Sequence, residues 1–171
     1  KCISNIRKAG GLLLGHTNMT ELAYSGLGIN PHYGTPDNPL YPGSVPGGST
    51  SGGAVSVALD LSDIAIGTDT GGSTRIPAAF TGITGFKPTQ DSISRDGVLT
   101  LSSSLDSVGL MAKNVKLCKL GYQAMRSKVN TKHEKLKNKN LKFIIPSNFG
   151  FENIDTEIKV AFDFAKKKLN E

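Results

Sequence analysis

Apolar positions change period several times along the chain, and each change marks an element. Cys2, Ile3 and Ile6 fall at helical spacing, and Gly10 and Gly11 follow where a helix C-terminus is expected. Leu12-Leu13-Leu14 is a continuous apolar run between glycines, the pattern of a strand buried on both faces. Ala54, Val55, Val57, Ala58 and Leu59 predict a short buried helix, and Ile64-Ala65-Ile66, closing at Gly67, a second buried strand. Ile76-Pro77-Ala78-Ala79-Phe80 predicts a helix with its proline in the first turn, where a missing N–H is harmless. Farther on, Val115, Leu117, Cys118, Leu120, Tyr122 and Met125 predict a helix and Leu141 to Ile145 a strand. Ile158, Ala161, Phe162, Ala165 and Leu169 predict an amphipathic helix, with Lys166, Lys167 and Lys168 at the end where cations are favoured. Helices alternating with short buried strands indicate the α/β class.

Between these elements the punctuation is dense. From Tyr24 to Pro46, nine glycines and prolines interrupt a stretch with neither helical nor strand period, so a long loop is predicted, and such loops inside compact domains are usually functional. Two clusters of small polar residues follow: Gly47-Gly48-Ser49-Thr50-Ser51-Gly52-Gly53 and Gly67-Thr68-Asp69-Thr70-Gly71-Gly72-Ser73-Thr74-Arg75. No internal repeat is present.

Four chemistries compete for these clusters. A flexible linker would separate modules, but both clusters sit between apolar segments of one domain-sized stretch. A phosphate cradle would need the closing lysine of a P-loop or the spaced glycines of a dinucleotide site, and neither occurs. A Ser-His-Asp hydrolase would need a Gly-x-Ser-x-Gly elbow, which is also missing, and His16, His32 and His133 read as surface or loop residues. Nucleophilic catalysis without histidine remains. A serine after two glycines offers a hydroxyl on a turn whose N–H groups can converge on one point, as an oxyanion site requires. Ser73 is then the candidate nucleophile, with Thr70, Gly71, Gly72 and Ser73 as N–H donors. Its proton must pass to a base, and a neutral lysine reached through a second hydroxyl can serve, with Ser49 as the relay.

At these residues the chain resembles the amidase signature family, serine amidohydrolases with a serine, cis-serine and lysine triad. The similarity runs through Gly15-His16-Thr17-Asn18-Met19-Thr20-Glu21, Gly34-Thr35-Pro36-Asp37-Asn38-Pro39, both clusters with Ile76-Pro77-Ala78-Ala79, Gly82, Gly85-Phe86-Lys87-Pro88-Thr89 and Ser104-Leu105-Asp106-Ser107-Val108-Gly109. Residues 11 to 110 are covered. The resemblance implies an amidase-signature fold, a mixed β-sheet flanked by α-helices and present here in part. It also implies hydrolysis of a carboxamide through an acyl-enzyme on Ser73, with Ser49 joined by a cis peptide to Gly48. No metal or organic cofactor is required. Asp69 and Arg75 match motif positions where an ion pair would hold the nucleophile turn, Ser51 is grouped with them as supporting, and Lys87 matches a structural lysine.

The departures from the family pattern also carry expectations. The resemblance places the catalytic lysine upstream of Lys1, so this stretch by itself is expected to be inactive. His16 stands where lysine is usual, and Asp60 and Asp91 replace common glycines. The stretch Leu22-Ala23-Tyr24-Ser25-Gly26-Leu27-Gly28, with Asn30-Pro31-His32-Tyr33, is more similar to stand-alone amidases. The alternatives are the glutaminase subunit of a tRNA-dependent amidotransferase and a non-catalytic remnant.

Composition narrows the rest. The 171 residues are enough for one domain, with 37% hydrophobic and 20% charged residues, in the range of a folded soluble chain. Residues 1–127 are expected to form part of the signature core, 128–142 a lysine-rich linker, and 143–171 the next strand and helix of the same domain. The net charge of +6 is local. Lys1 to Ala112 holds six basic against eight acidic residues, whereas Lys113 to Lys142 holds ten against one and has no aromatic after Tyr122 on which a base could stack. A nucleic-acid partner is therefore not expected; a small-molecule amide is, and a homodimer is left open. Cys2 and Cys118 have no metal-ligand spacing and read as reduced thiols. No apolar run reaches the roughly 18 residues of a spanning helix, so neither a membrane partner nor a location other than the cytoplasm is expected.

Overall fold

The computed structural model describes residues 1–126, 142–146, 150 and 152–169. The chain divides into two compact units, Lys1–Thr131 and Lys132–Glu171. In the first, α1 (Cys2–Lys8) is followed by a single 3₁₀ turn, Glu21–Ala23, then α2 (Ser51–Ala58), β1 (Ile64–Asp69), α3 (Arg75–Phe80), β2 (Thr84–Phe86), β3 (Ser107–Ala112) and α4 (Val115–Met125). In the second, α5 spans Thr156–Leu169. The expected lysine-rich linker lies, apart from Lys142, outside the described residues, as does His133.

The three strands form one sheet in the order β1-β3-β2, both pairs antiparallel, with Ala65 opposite Met111, Gly67 opposite Gly109 and Asp69 opposite Ser107. The α/β class holds; where the resemblance implies a mixed sheet, the described strands form a small antiparallel one. Strand period does the sorting. On one face Val108, Leu110 and Ala112 pack with Ile64 and Ile66 against Cys2 of α1 and Cys118 and Met125 of α4. On the other, Ala65 and Met111 pack with Ala54 and Val57 of α2 and Ala78 of α3. The central strand β3 is buried at every position, because helices cover both of its faces. Its Ser107-Val108-Gly109 portion is conspicuous in the sequence as a motif, and so does not read as a strand.

Two expectations are corrected. Leu12-Leu13-Leu14 is not a strand: it pairs with no described strand, and Leu12 and Leu14 are 87% and 73% exposed. Three consecutive leucines define an apolar run, but a strand also needs a neighbouring backbone to accept its N–H groups, and no described strand lies beside this run. Likewise Lys142–Pro146 is irregular, with Phe143, Ile144 and Ile145 exposed, so no strand forms over its described part, and Leu141 lies outside it.

The long loop from Tyr24 to Pro46 contains neither helix nor strand. Buried asparagines replace regular structure there. The Asn30 side chain accepts from the N–H groups of His32 and Tyr33 and donates to the Met19 carbonyl. Asn38 accepts from Leu40 N–H and donates to the carbonyls of Val45 and Phe80, which ties the loop to the end of α3.

Candidate active site

The face of the sheet that packs on α2 and α3 becomes smaller toward one end: Ala65, Gly67 and Asp69 on β1 lie opposite Met111, Gly109 and Ser107 on β3. At Gly67 a β-carbon would lie 2.8 Å from Cγ2 of Thr50, and at Gly109 one would lie 3.0 Å from Oγ1 of Thr74. The missing side chains therefore let both small-residue clusters settle directly on the sheet. One backbone hydrogen bond joins them, from Thr50 N–H to the Ser73 carbonyl at 3.2 Å.

Asp69 ends β1 with its carboxylate fully buried and organises the turn that follows. Its Oδ2 accepts from Thr74 N–H (3.2 Å), Thr74 Oγ1 (2.8 Å), Arg75 N–H (3.4 Å) and Arg75 Nε (3.0 Å). Its Oδ1 accepts from Arg75 Nη2 at 2.9 Å, which completes a bidentate pair, and lies 3.5 Å from Lys87 Nζ. Burial alone would raise this carboxyl. The hydrogen bonds from Arg75 and Thr74, with the Arg75 charge, outweigh burial and hold it far below the ordinary carboxylate range. The same pairing with Asp69 raises the Arg75 guanidinium above its usual value, against a smaller opposing effect of burial. One carboxylate thus satisfies the first N–H groups of α3 and locks the residues around Ser73.

A second buried carboxylate also holds the turn. Asp106 accepts from Thr70 Oγ1 at 2.5 Å and from the N–H groups of Leu101 and Ser102 at 2.8 and 3.0 Å. Burial opposes ionisation here as well, yet these donors and the Arg95 charge keep the Asp106 carboxyl below its ordinary value. Between the carboxylates, Lys87 Nζ donates to the carbonyls of Asp69, Thr70 and Leu105, the last two at 3.0 Å. Within this frame the N–H groups of Thr70, Gly71, Gly72 and Ser73 lie between β1 and α3, and none donates in the turn and loop network of the described residues.

The first cluster presents the opposite condition. The Gly48–Ser49 peptide is cis. The hydroxyls of Ser49 and Ser51 are fully buried and have no hydrogen-bond partner among the described residues. Their backbones are well held, Ser49 O accepting from Thr20 N–H and Gly52 N–H donating to Asn18 O, both at 2.9 Å. An open cleft of about 520 Å³ is formed by residues 17–22 with Asn30, His32 and Tyr33. Neither Ser49 nor Ser73 lines it, but of its lining residues Thr20 bonds the Ser49 carbonyl and Asn18 the Gly52 N–H.

Every candidate site residue of the sequence falls within these two joined clusters. The amidase family model matches residues 1–171, the whole chain. The chain belongs to the amidase family. Among curated amidase-family relatives, Amidase 1 of Arabidopsis thaliana is 49% identical over 117 residues, 68% of this chain and 28% of that protein. The homologous component of the glutamyl-tRNA(Gln) amidotransferase of Chromohalobacter salexigens is 50% identical over 118 residues, 69% of this chain and 24% of that protein. A solved crystal structure of an amidase superposes with a TM-score of 0.71 at 41% identity, over 73% of this chain and 29% of that one. The chain spans about a quarter of the length of these curated relatives.

Sequence reasoning passes over three parts of this candidate site. Thr74 and Asp106 lie inside recognised blocks, but nothing in their spacing shows that one caps Asp69 and the other grips Thr70. The network drawn by Lys87 joins residues 18 apart in the chain on either side, and only the sheet register brings them together. Among the described residues no group of His, Cys, Asp and Glu could hold a metal ion, and no helix is long and apolar enough to cross a membrane.

Proposed function

We propose that this chain carries the acyl-transfer serines of an enzyme that hydrolyses a small carboxamide. Ser73 Oγ attacks the carbonyl carbon while its proton passes to Ser49 Oγ, and the Ser49 proton passes to a basic lysine. The oxyanion is received by N–H groups of residues 70–73. On collapse the C–N bond breaks, Ser49 returns a proton to the departing nitrogen, and water then cleaves the Ser73 ester to release the acid. Lys87 is not that base: its ammonium is committed to three carbonyls and lies beside Asp69. The base is assigned to a lysine outside this stretch, in keeping with the family resemblance.

The observation that carries this reading is the Thr50 N–H to Ser73 carbonyl bond, which ties the backbone next to Ser49, whose buried hydroxyl has no partner among the described residues, to the turn of residues 70–73. The test is amide hydrolysis by the full-length natural protein across a panel of small carboxamides. Ser73→Ala is expected to reduce kcat by about 10⁴-fold or more. Unchanged turnover in that variant would remove the reading.

Similarity to a component of an amidotransferase supports a second reading, in which the same serines release ammonia from glutamine for a partner protein. Copurification with partner subunits and glutaminase activity confined to the complex would favour it over a stand-alone amidase.

A further inference from the structure

The geometry points to Lys87 as a positioning residue that aims the oxyanion donors, an inference that rests on the acyl-transfer reading above. Lys87 Nζ holds the carbonyl oxygens of two successive residues, Asp69 and Thr70. The Asp69–Thr70 and Thr70–Gly71 peptides are trans, since Gly48–Ser49 is the cis bond among the described residues. In a planar trans peptide the C=O and N–H point in opposite directions. Fixing both carbonyls on one ammonium therefore turns the N–H groups of Thr70 and Gly71 away from Lys87.

Gly71 itself faces open space: beyond its chain neighbours no atom lies within 4 Å of the position a β-carbon would take there, and the residue is exposed. The Thr70–Gly71 peptide is followed by glycine, which imposes little steric preference of its own, so the ammonium is what fixes its direction. The Asp106 carboxylate reinforces the arrangement by holding the Thr70 hydroxyl, and the Leu105 carbonyl brings the preceding loop onto the same ammonium. A cation on the carbonyl side also polarises each peptide, which strengthens its N–H as a donor toward developing negative charge. Lys87 thus acts on the transition state through the backbone and touches neither substrate nor nucleophile.

The test uses the full-length protein with Lys87→Met and Lys87→Arg. For each, kcat and KM on a hydrolysed carboxamide are measured beside the affinity for an alkyl trifluoromethyl ketone, which forms an oxyanion on an attacking serine, and the fraction of protein titrated by a fluorophosphonate. Lys87→Met is expected to lose about 100-fold in kcat, and a similar factor in ketone affinity, with KM little changed. Lys87→Arg keeps the charge, but its planar fork does not reproduce one ammonium on three carbonyls, so a smaller loss in the same two quantities is expected. If Lys87→Met does not fold, Lys87→Arg carries the test through the same ratio of kcat to KM effects. Unchanged kcat and ketone affinity in folded, titratable variants would overturn the role. So would a loss that only follows the titratable fraction, since that marks a purely structural lysine. Wild-type protein without amide turnover would remove the acyl-transfer reading and the role of Lys87 together, whereas normal wild-type turnover with unaffected variants removes only the latter.

Discussion

Asp69 and Ser49 are both fully buried on the same face of the sheet, yet their surroundings obey opposite rules. Both carboxylate oxygens of Asp69 are bonded, four donors converge on one of them, and Thr74, Arg75 and Lys87 are tied in by it. The Ser49 and Ser51 hydroxyls have no partner among the described residues. A buried hydroxyl left unbonded costs about 1–3 kcal/mol, so folds seldom keep one without a further use for it. Ser92 and Ser107 are in the same condition, so it is the proposed relay role that singles out Ser49. On that proposal the contrast separates a frame, which must not move, from a hydroxyl that must remain available to exchange a proton.

If the division holds, substitutions on the two sides have different consequences. Ser49→Ala is expected to lower kcat of the full-length protein by about 10²- to 10⁴-fold while moving its unfolding free energy by less than about 1 kcal/mol. A large stability loss with intact activity would reverse the division. Asp69→Asn attacks the frame and is expected to destabilise by about 3 kcal/mol in urea unfolding. This is the low end for a broken buried pair, because the Arg75 side chain is half exposed and water recovers part of the loss. The sign with pH follows from the depressed carboxyl. Its stabilisation is fully present above the ordinary carboxylate pKa of about 4 and is lost as pH falls below it. The wild-type protein should therefore lose stability on acidification more steeply than Asp69→Asn.

Gly67→Ala tests the seam between the two sides. Its new methyl would sit 2.8 Å from Cγ2 and 3.1 Å from Cβ of Thr50, so Thr50 must move. A destabilisation of about 1–3 kcal/mol is expected, with a parallel loss of activity, because Thr50 lies between Ser49 and Ser51. The smallest effect belongs to Asp60, well away from the site. It adopts a φ of +59°, which glycine prefers, but it also pairs with Lys113 at 3.1 Å on the surface. Relieved backbone and lost ion pair nearly cancel, so Asp60→Gly should shift thermal unfolding by no more than about 0.5 kcal/mol equivalent.

The family resemblance puts Asp60 and Asp91 where glycine is common, and both residues sit at positive φ, +59° and +62°, where a glycine would be at ease. Local signals of this kind read well: α1 ends at Lys8, just before Gly10 at positive φ, α3 carries its proline near the start, and β1 follows its apolar run. Signals that depend on a distant partner do not. Leu12-Leu13-Leu14 has the composition of a buried strand and no strand beside it, whereas Ser107–Ala112 begins with a serine and contains a glycine, yet is the central strand because two others pair with it. For the site, the candidate serines are legible from the residue pattern, and the Asp69 and Arg75 pair from the family resemblance. The carbonyl-holding role of Lys87 and the grip of Asp106 on Thr70 depend on the sheet register.

The most direct measurement of the central claim is reaction of the full-length natural protein with a fluorophosphonate, followed by peptide mapping of the adduct. The account predicts a single modified residue, Ser73, and loss of that labelling in Ser49→Ala. A full-length, folded protein that is not labelled, or is labelled at another serine, would contradict it.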